Sequence, residues 1–252
     1  MKRTVPSLTE LPRPVFSRNE SLAPGMWTDR HSHPWHQLSY AISGVLNVQT
    51  AQGSYVAPPS YAVWIPQGTE HQVFNQGHTE MRSLYLQDEA PLPAQCTVIE
   101  VGPLLRELIC KACELPVEYG TEGPAGRLIA VLLDELAAAR PAAFTLPLPQ
   151  DRRLLGIHAA LQENPADNRT LATWADTAGA SERTLARLFQ KETGLNFGDW
   201  RRRLRLLLSL SALEAGDSVT AVAVAHGYDS TSAFIAAFRE LFGVTPGEIG
   251  RR

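Results

Sequence analysis

Residues 227–246 read GYDSTSAFIAAFRELFGVTP. Gly227 closes a short helical pattern. Ser230 is a good N-cap for the next helix, because its hydroxyl can accept a hydrogen bond from an amide two or three residues on. Phe234, Phe238, Leu241 and Phe242 then recur at helical spacing and make one apolar face. Gly243 stops that helix, and Pro246 stands where another can start. A short helix, a Gly-containing turn and a second helix opening on small polar residues is the plan of a helix-turn-helix. In that plan the second helix enters the major groove of DNA and its first residues meet the base edges, here Ser230, Thr231, Ser232 and Ala233. On spacing alone, a helical hairpin in any all-α domain fits equally well.

The order of the residues says more than their spacing. A Gly-aromatic pair, a Ser, two spaced Phe residues and a Phe-Gly-x-x-Pro ending closely resemble the C-terminal signature of the AraC family of transcription regulators. The resemblance runs over residues 151–252 and implies an all-α DNA-binding domain with two helix-turn-helix units. RRLLGIHAALQENP opens it, with Leu154, Leu155, Ile157, His158 and Leu161 on or near one face. LATWADTA, GAS and ERTLARLFQKET read as the first unit, with Leu171, Ala175, Leu185, Leu188 and Phe189 as core and Ser181 as N-cap. Arg183, Thr184 and Arg187 fall on the side away from Leu185 and Leu188. Arginine can bond guanine O6 and N7 together, and Arg183 and Arg187 lie one turn apart, so they can share a groove. The plainer alternative is a solvated helix with salt bridges to Glu182 or its neighbours. GDWRRRLRLLLSLSALEAG is expected as the long helix joining the units. The second recognition helix has only Ala233, Ile235, Ala236 and Ala237 over its first turns. It is predicted to anchor the backbone and to read sequence weakly.

Net charge is −3, which does not announce a nucleic-acid binder. Residues 1–150 hold 10 basic and 14 acidic side chains, whereas residues 151–252 hold 13 and 12. Phosphate binding needs local positive charge rather than a basic protein, and Arg201, Arg202, Arg203 and Arg205 are one local source. No run of 18 apolar residues exists, so no membrane span is expected. MKRTVPSLTELPRP lacks the apolar core of a signal peptide, and a cytoplasmic setting is expected. Three cysteines, Cys96, Cys110 and Cys113, argue against a disulfide framework. Cys110 and Cys113 lie inside a helical pattern and are read as core or interface residues.

Residues 24–98 have a different texture. QLSYAISGVLNVQT, YAVWIP and MRSLYL are rich in aromatic and β-branched residues, with turn signals between the runs such as Ser43-Gly44, Gln52-Gly53 and Pro58-Pro59. Short strands at such spacing read as an all-β barrel or sandwich. His31 and His33 on a strand would share one face, because strand side chains alternate. With His71 they could offer three imidazoles to one transition ion, Zn, Ni, Fe or Cu. The spacing Gly25-x5-His31-x-His33-x3-Gln37-x6-Gly44 and Pro66-x-Gly68-x2-His71-x3-Asn75 resembles the two cupin motifs. Gln37 stands where that pattern has Glu, and Ser60 where it has Gly. The resemblance therefore implies a metal set of His31, His33, His71 and a weak amide oxygen from Gln37, holding one divalent Zn, Ni or Fe. Trp35, Tyr40, Tyr61 and Trp64 could line a pocket for a planar ligand, or could be barrel core.

Residues 99–140 switch to helical periodicity. Leu104, Leu105, Leu108, Ile109, Ala112 and Cys113 make one stripe; Leu128, Ile129, Leu132, Leu133 and Leu136 make another. These helices could cover the barrel or pair with the same helices of a second subunit, and the AraC resemblance favours dimerisation. PAAFTLPLPQ, residues 141–150, carries three prolines and reads as a linker of limited flexibility.

The expected fold is an α+β multidomain chain. A loose arm covers residues 1–23, a cupin barrel (a double-stranded β-helix) residues 24–98, and a helical dimerisation segment residues 99–140. The linker spans 141–150 and the AraC-type DNA-binding domain spans 151–252. Such a chain would be a one-component regulator whose partners are double-stranded promoter DNA, a small-molecule or metal effector, a second copy of itself and, for an activator, RNA polymerase. A three-His cupin can also host Fe or Mn catalysis. The missing Glu, the lack of an acid–base pair in the barrel and the attached DNA-binding domain argue against an enzyme. A barrel serving only as a dimer scaffold is a third reading.

Overall fold

The computed structural model describes residues 2, 8–75, 77–87, 93–142 and 144–251. The chain divides into two compact units, residues 1–50 with 55–144, and residues 51–54 with 145–252.

The first unit is built from strands β1 (Val15–Leu22), β2 (His36–Ser43), β3 (Leu46–Thr50), β4 (Gly53–Ala57), β5 (Tyr61–Ile65), β6 (His71–Phe74), β7 (Thr79–Leu86) and β8 (Thr97–Glu100). Helices α1 (Pro103–Ala112) and α2 (Gly123–Ala137) follow, then the short strand β9 (Pro141–Ala142). One sheet has the order β1-β7-β2-β5-β8-β9. A second contains β4, β3 and β6, and the short strand β10 (Thr145–Pro147) opens the second unit. The tight β2–β3 turn depends on Gly44, whose φ is +78°. A Cβ there would come within 2.9 Å of three atoms of the facing chain, the His78 carbonyl oxygen among them.

Alternation along β2 and β5 splits their side chains between two environments. Leu38, Tyr40, Ala62, Trp64 and Leu84 face outward and pack with Leu105, Ile109, Ile129, Leu132 and Leu136 of α1 and α2. The apolar stripes of these helices thus cover the barrel. The buried residues of both stripes are taken up by the sheet, so a dimer through these helices would use the faces turned away from it. Leu104 and Val131 remain exposed on the helices.

Two boundaries need correction. The arm expected over 1–23 includes β1, whose eight residues pair with β7 from Val15↔Leu86 to Leu22↔Thr79. Residues 1 and 3–7 of that arm lie outside the described residues. The linker expected over 141–150 includes β9, paired with β8, and β10; Phe144, Leu146 and Leu148 are buried. Pro141 is compatible with this because β9 lies at a sheet edge, where a missing N–H costs no ladder bond.

The second unit carries α3 (Arg152–Glu163), α4 (Leu171–Ala178), α5 (Glu182–Thr193), α6 (Phe197–Glu214), α7 (Val219–Ala225), α8 (Thr231–Phe242) and a final 3-10 turn, Pro246–Arg251. Each of α3 to α8 starts on a side-chain cap, in order Asp151, Thr170, Ser181, Asn196, Ser218 and Ser230. Helix α6 buries residues around most of its circumference, among them Trp200, Leu204, Leu207 and Leu210, as a helix packed on several sides must. Trp200 meets Phe189 and His158 on one side of this core. Phe234, Phe238 and Phe242 meet edge-on in succession along α8. Leu155, expected near the buried face of α3, is exposed, and Trp174 of α4 is a core residue the periodicity did not single out. No helix among the described residues is long and apolar enough to cross a membrane.

Candidate functional site

The helical unit presents two helix–turn–helix pairs, α4–α5 and α7–α8. In the first, Gly179 in the left-handed region ends α4, and the Ser181 hydroxyl accepts from the Thr184 amide to start α5. Leu185, Leu188 and Phe189 are buried, which leaves Arg183 and Arg187 exposed on the outer side of α5. Neither arginine forms an ion pair among the described residues, so the salt-bridged alternative with Glu182 is not the arrangement present. Thr184 is half-buried, and its hydroxyl is 2.8 Å from that of Ser181. Gln190, one turn beyond Arg187, shares the exposed face; its i+7 spacing from Arg183 was the available signal for it.

In the second pair Ser230 caps α8 by accepting from the Ala233 amide. Thr231 donates to Thr220 of α7 at 3.3 Å, which ties the two helices together at an exposed position. Ser232, Ala233 and Ala236 are exposed, so the outward face of α8 opens on short side chains.

The arginine run on α6 is divided among internal tasks. Arg201 donates to the Arg169 carbonyl, and Arg202 pairs with Glu240 at 3.1 Å. Arg205 is buried. Its Nε donates to the Pro165 carbonyl at 2.7 Å, Nη1 to the Gly227 carbonyl at 3.2 Å, and Nη2 to the Asp167 carbonyl and Asn168 Oδ1, both at 2.9 Å. Removal from water lowers its pKa from the ordinary arginine value. This guanidinium therefore fastens the α3–α4 connection to the α7–α8 turn and is no phosphate contact. At Gly227, φ +74°, a Cβ would sit 2.8 Å from Arg205 Nη2 and 2.9 Å from Ala166 Cα, so the turn closes onto the arginine only with glycine.

In the barrel unit, His31, His33 and His71 come together. His31 and His71 exchange backbone hydrogen bonds of 3.0 and 2.9 Å as an isolated bridge, while His33 lies in the loop before β2. The strand expected across His31 and His33 is not continuous, because Pro34 has no N–H to extend it. The three rings still converge, with centroids 4.3 Å apart for His31 and His71 and 5.2 Å for His33 and His71. Each Nδ1 lies against a backbone carbonyl: Asp29 for His31 at 2.9 Å, Trp35 for His33 at 2.7 Å and Thr69 for His71 at 2.9 Å. A carbonyl only accepts, so each Nδ1 carries the proton and each Nε2 keeps a lone pair. One nitrogen from each ring fits within a 4.8 Å cluster. Burial, the leading cause, draws the His71 pKa down to about 3, and His31 and His33 push it the same way. Its buried Nε2 has no hydrogen-bond partner among the described residues. Three imidazoles, each oriented by a hydrogen bond at Nδ1 and one with an orphaned buried Nε2, form a donor set that fits a transition metal.

Gln37 reaches the same space. Its Oε1 lies 2.8 Å from His33 Nε2 and its Nε2 donates to the Ser39 hydroxyl at 2.7 Å. With Nδ1 of His33 already donating, a neutral ring requires the amide turned over, so that nitrogen faces the ring. With a metal at His33 Nε2 that hydrogen bond would be absent, and the amide turned back would present Oε1 on the side of the ion.

Only part of the expected aromatic pocket borders the cluster. Trp35 stacks on His33 at 5.5 Å, and Tyr85, which the sequence did not single out, meets His33 edge-on at 5.9 Å. Tyr61 packs on Phe144. Tyr40 and Trp64 belong to the opposite face of the sheet, against the helices, and so do not line the His pocket. His36 shares that outward side, stacked on Trp64 at 4.9 Å. The three cysteines are free, and burial raises the thiol pKa of each.

Fold and sites together define a two-unit chain, a cupin barrel with a His-lined centre and a helical unit with paired helix-turn-helix elements. Comparison with known proteins agrees. A helix-turn-helix domain model matches residues 174–252, and a cupin domain model matches residues 19–86. The HTH-type transcriptional regulator NimR of Escherichia coli K12 is 37% identical over 218 residues, covering 86% of this chain and 80% of that protein. The HTH-type transcriptional regulator RipA of Corynebacterium glutamicum is 39% identical over 111 residues, 42% of this chain and 34% of that protein. The structure of ToxT from Vibrio cholerae aligns over 94% of this chain and 97% of its own, at 10% identity and a TM-score of 0.40. The chain belongs to the AraC family of helix-turn-helix transcription regulators and carries an N-terminal cupin domain.

Proposed function

We propose that this DNA-binding regulator is controlled through its cupin barrel, with one divalent Zn, Ni or Fe held by His31, His33 and His71 and approached by Gln37. The observation that carries this reading is the tautomer pattern: all three Nδ1 atoms face backbone carbonyls, which leaves three Nε2 lone pairs for one ion. Gln37 in place of a carboxylate leaves the ion's charge uncompensated and favours binding over catalysis; the chain acts as a regulator and not as an enzyme. Arg183 and Arg187 read bases from α5, while Ser181 and Thr184 cap that helix at the groove. On α8, Ser230, Thr231, Ser232 and Ala233 anchor the backbone and touch thymine methyl groups. The working form is a cytoplasmic homodimer on promoter DNA, joined through the outward side of α1 and α2, where Leu104 and Val131 are exposed. RNA polymerase is a further partner if the chain activates.

The test is metal content of the purified chain, together with binding to its own upstream DNA with and without Zn, Ni or Fe. About one ion per chain, with DNA affinity altered on its removal, is the expected result. Metal-free protein whose DNA affinity ignores all three ions would remove the metal-sensor reading.

A further inference from the structure

We propose that the inward face of the barrel binds a small aromatic carboxylate, its carboxylate held by Arg18 and Ser83 and its ring by Phe16, Tyr85 and Trp35, beside the His cluster. This rests on the reading that a divalent metal occupies that cluster.

The placement follows from strand alternation and register. Ser17 Oγ and Asn19 Nδ2 donate to the Ala112 and Cys113 carbonyls at the end of α1, so these two side chains face the helix layer. Phe16, Arg18 and Glu20 therefore point inward. Pairing with β7 and β2 arranges the inward residues in rows. Phe16, Tyr85 and Gln37 form one; Arg18, Ser83 and Ser39 form the next. The first row borders the metal ligands, with Gln37 2.8 Å from His33 and the Tyr85 ring 5.9 Å from it. Phe16 stacks on Tyr85 at 5.9 Å. The second row lies two residues further along each strand, about 7 Å away. Across such a step, a single ring with a carboxylate reaches from the aromatic row to Arg18 and Ser83.

The second row contains polar atoms in need of a partner. Ser83 is fully buried, and its Oγ has no hydrogen-bond partner among the described residues. The same holds for Arg18 Nη1 and for Trp35 Nε1. Arg18 Nη2 donates to Glu20 Oε1 at 3.1 Å, which fixes the guanidinium while leaving its other amino group unpartnered. A buried donor without an acceptor is costly, and a carboxylate supplies acceptors for a guanidinium N–H and a hydroxyl at once. Charge points to the same ligand. Arg18 and Glu20 balance each other, and Gln37 brings an uncharged amide where a carboxylate would bring counter-charge. A divalent ion in this interior then lacks counter-charge, which an anion provides.

The experiment uses the full chain, metal-free and zinc-loaded, titrated calorimetrically with benzoate and with its uncharged analogue benzamide. Benzoate is expected to bind the zinc-loaded chain at least roughly tenfold more tightly than benzamide does, and to bind the metal-free chain more weakly. Arg18→Gln and Ser83→Ala are each expected to weaken benzoate without changing zinc affinity. Ser83→Ala removes only one oxygen, so it serves if Arg18→Gln does not fold. No benzoate binding to zinc-loaded protein at about 10 mM, or equal binding to wild type and both variants, would overturn the proposal. DNA affinity measured in the same samples separates the two readings. Benzoate bound with no effect on DNA leaves the pocket and removes ligand control. Zinc-dependent DNA affinity with no benzoate binding removes the pocket and leaves the metal sensor.

Discussion

Replacing Arg205 by Met should unfold or loosen the helical unit far more than its place in an arginine-rich run implies. The guanidinium makes four hydrogen bonds, to the carbonyls of Pro165, Asp167 and Gly227 and to Asn168 Oδ1, from a side chain only 8% exposed. Met keeps the apolar stem and removes every donor. Hydrogen bonds from a charged group contribute about 1.5–3 kcal/mol each, but bonds sharing one group are not additive. The acceptors can also recover part of the loss from water. A net cost of about 4 kcal/mol follows, a large fraction of a domain's usual 5–15 kcal/mol. Arg202→Met on the same helix is the control. Its partner Glu240 lies 3.1 Å away, but the arginine is 48% exposed, and such pairs are worth about 1 kcal/mol or less. Urea unfolding followed through Trp174 and Trp200, both in this unit, measures both variants. The two connections that Arg205 joins precede α4 and α8. At temperatures where Arg205→Met stays folded, affinity should therefore fall more for DNA carrying both half-sites than for a single half-site. A loss below about 1 kcal/mol, indistinguishable from Arg202→Met, would refute the clamp.

Further outcomes follow from the same coordinates. Arg187→Ala should cost about 1–3 kcal/mol of specific DNA affinity and relax preference at one base position, whereas Ser232→Ala should change affinity slightly and evenly across sequences; binding-site selection with each variant checks this. Gly44→Ala forces a Cβ into the His78 carbonyl region at φ +78° and should destabilise the barrel unit by several kcal/mol, while Gly77→Ala, with open space around it, should be near neutral in thermal melts. Burial lowers the His158 pKa from 6.5 to about 4. The unfolded chain therefore takes up this proton first as pH falls. The contribution is fully present above about pH 6.5, declines through the window and is lost below about pH 4, a span of about 3 kcal/mol; His158→Gln should flatten that slope in urea titrations.

Most of the helical unit is legible in the sequence because its signals are local. Caps such as Ser181 and Ser230, left-handed glycines at 179 and 243 and the Phe234–Phe238–Phe242 spacing each act within a few residues. The His cluster was legible for a different reason, since two short motifs place its ligands on neighbouring segments. What escaped depends on pairing at a distance. β1 was hidden because its residues VFSRNESL are mostly polar, and only register with β7 makes them a strand. Tyr40 and Trp64 could be assigned a face only once Gln37 was known to point inward. Arg205 looked like its neighbours, because its acceptors lie 22 to 40 residues away.

The unequal outer faces of α5 and α8 bear on how the target sites of such a regulator change over time. A half-site read by two long arginines tolerates few substitutions, because a lost guanine contact is costly. A half-site met by serine hydroxyls and alanine methyl groups tolerates many. Promoters under this regulator should hold one half-site nearly constant while the other drifts. New promoters can be recruited by acquiring a few fixed bases, with the weaker half supplied by whatever sequence lies one helical turn away.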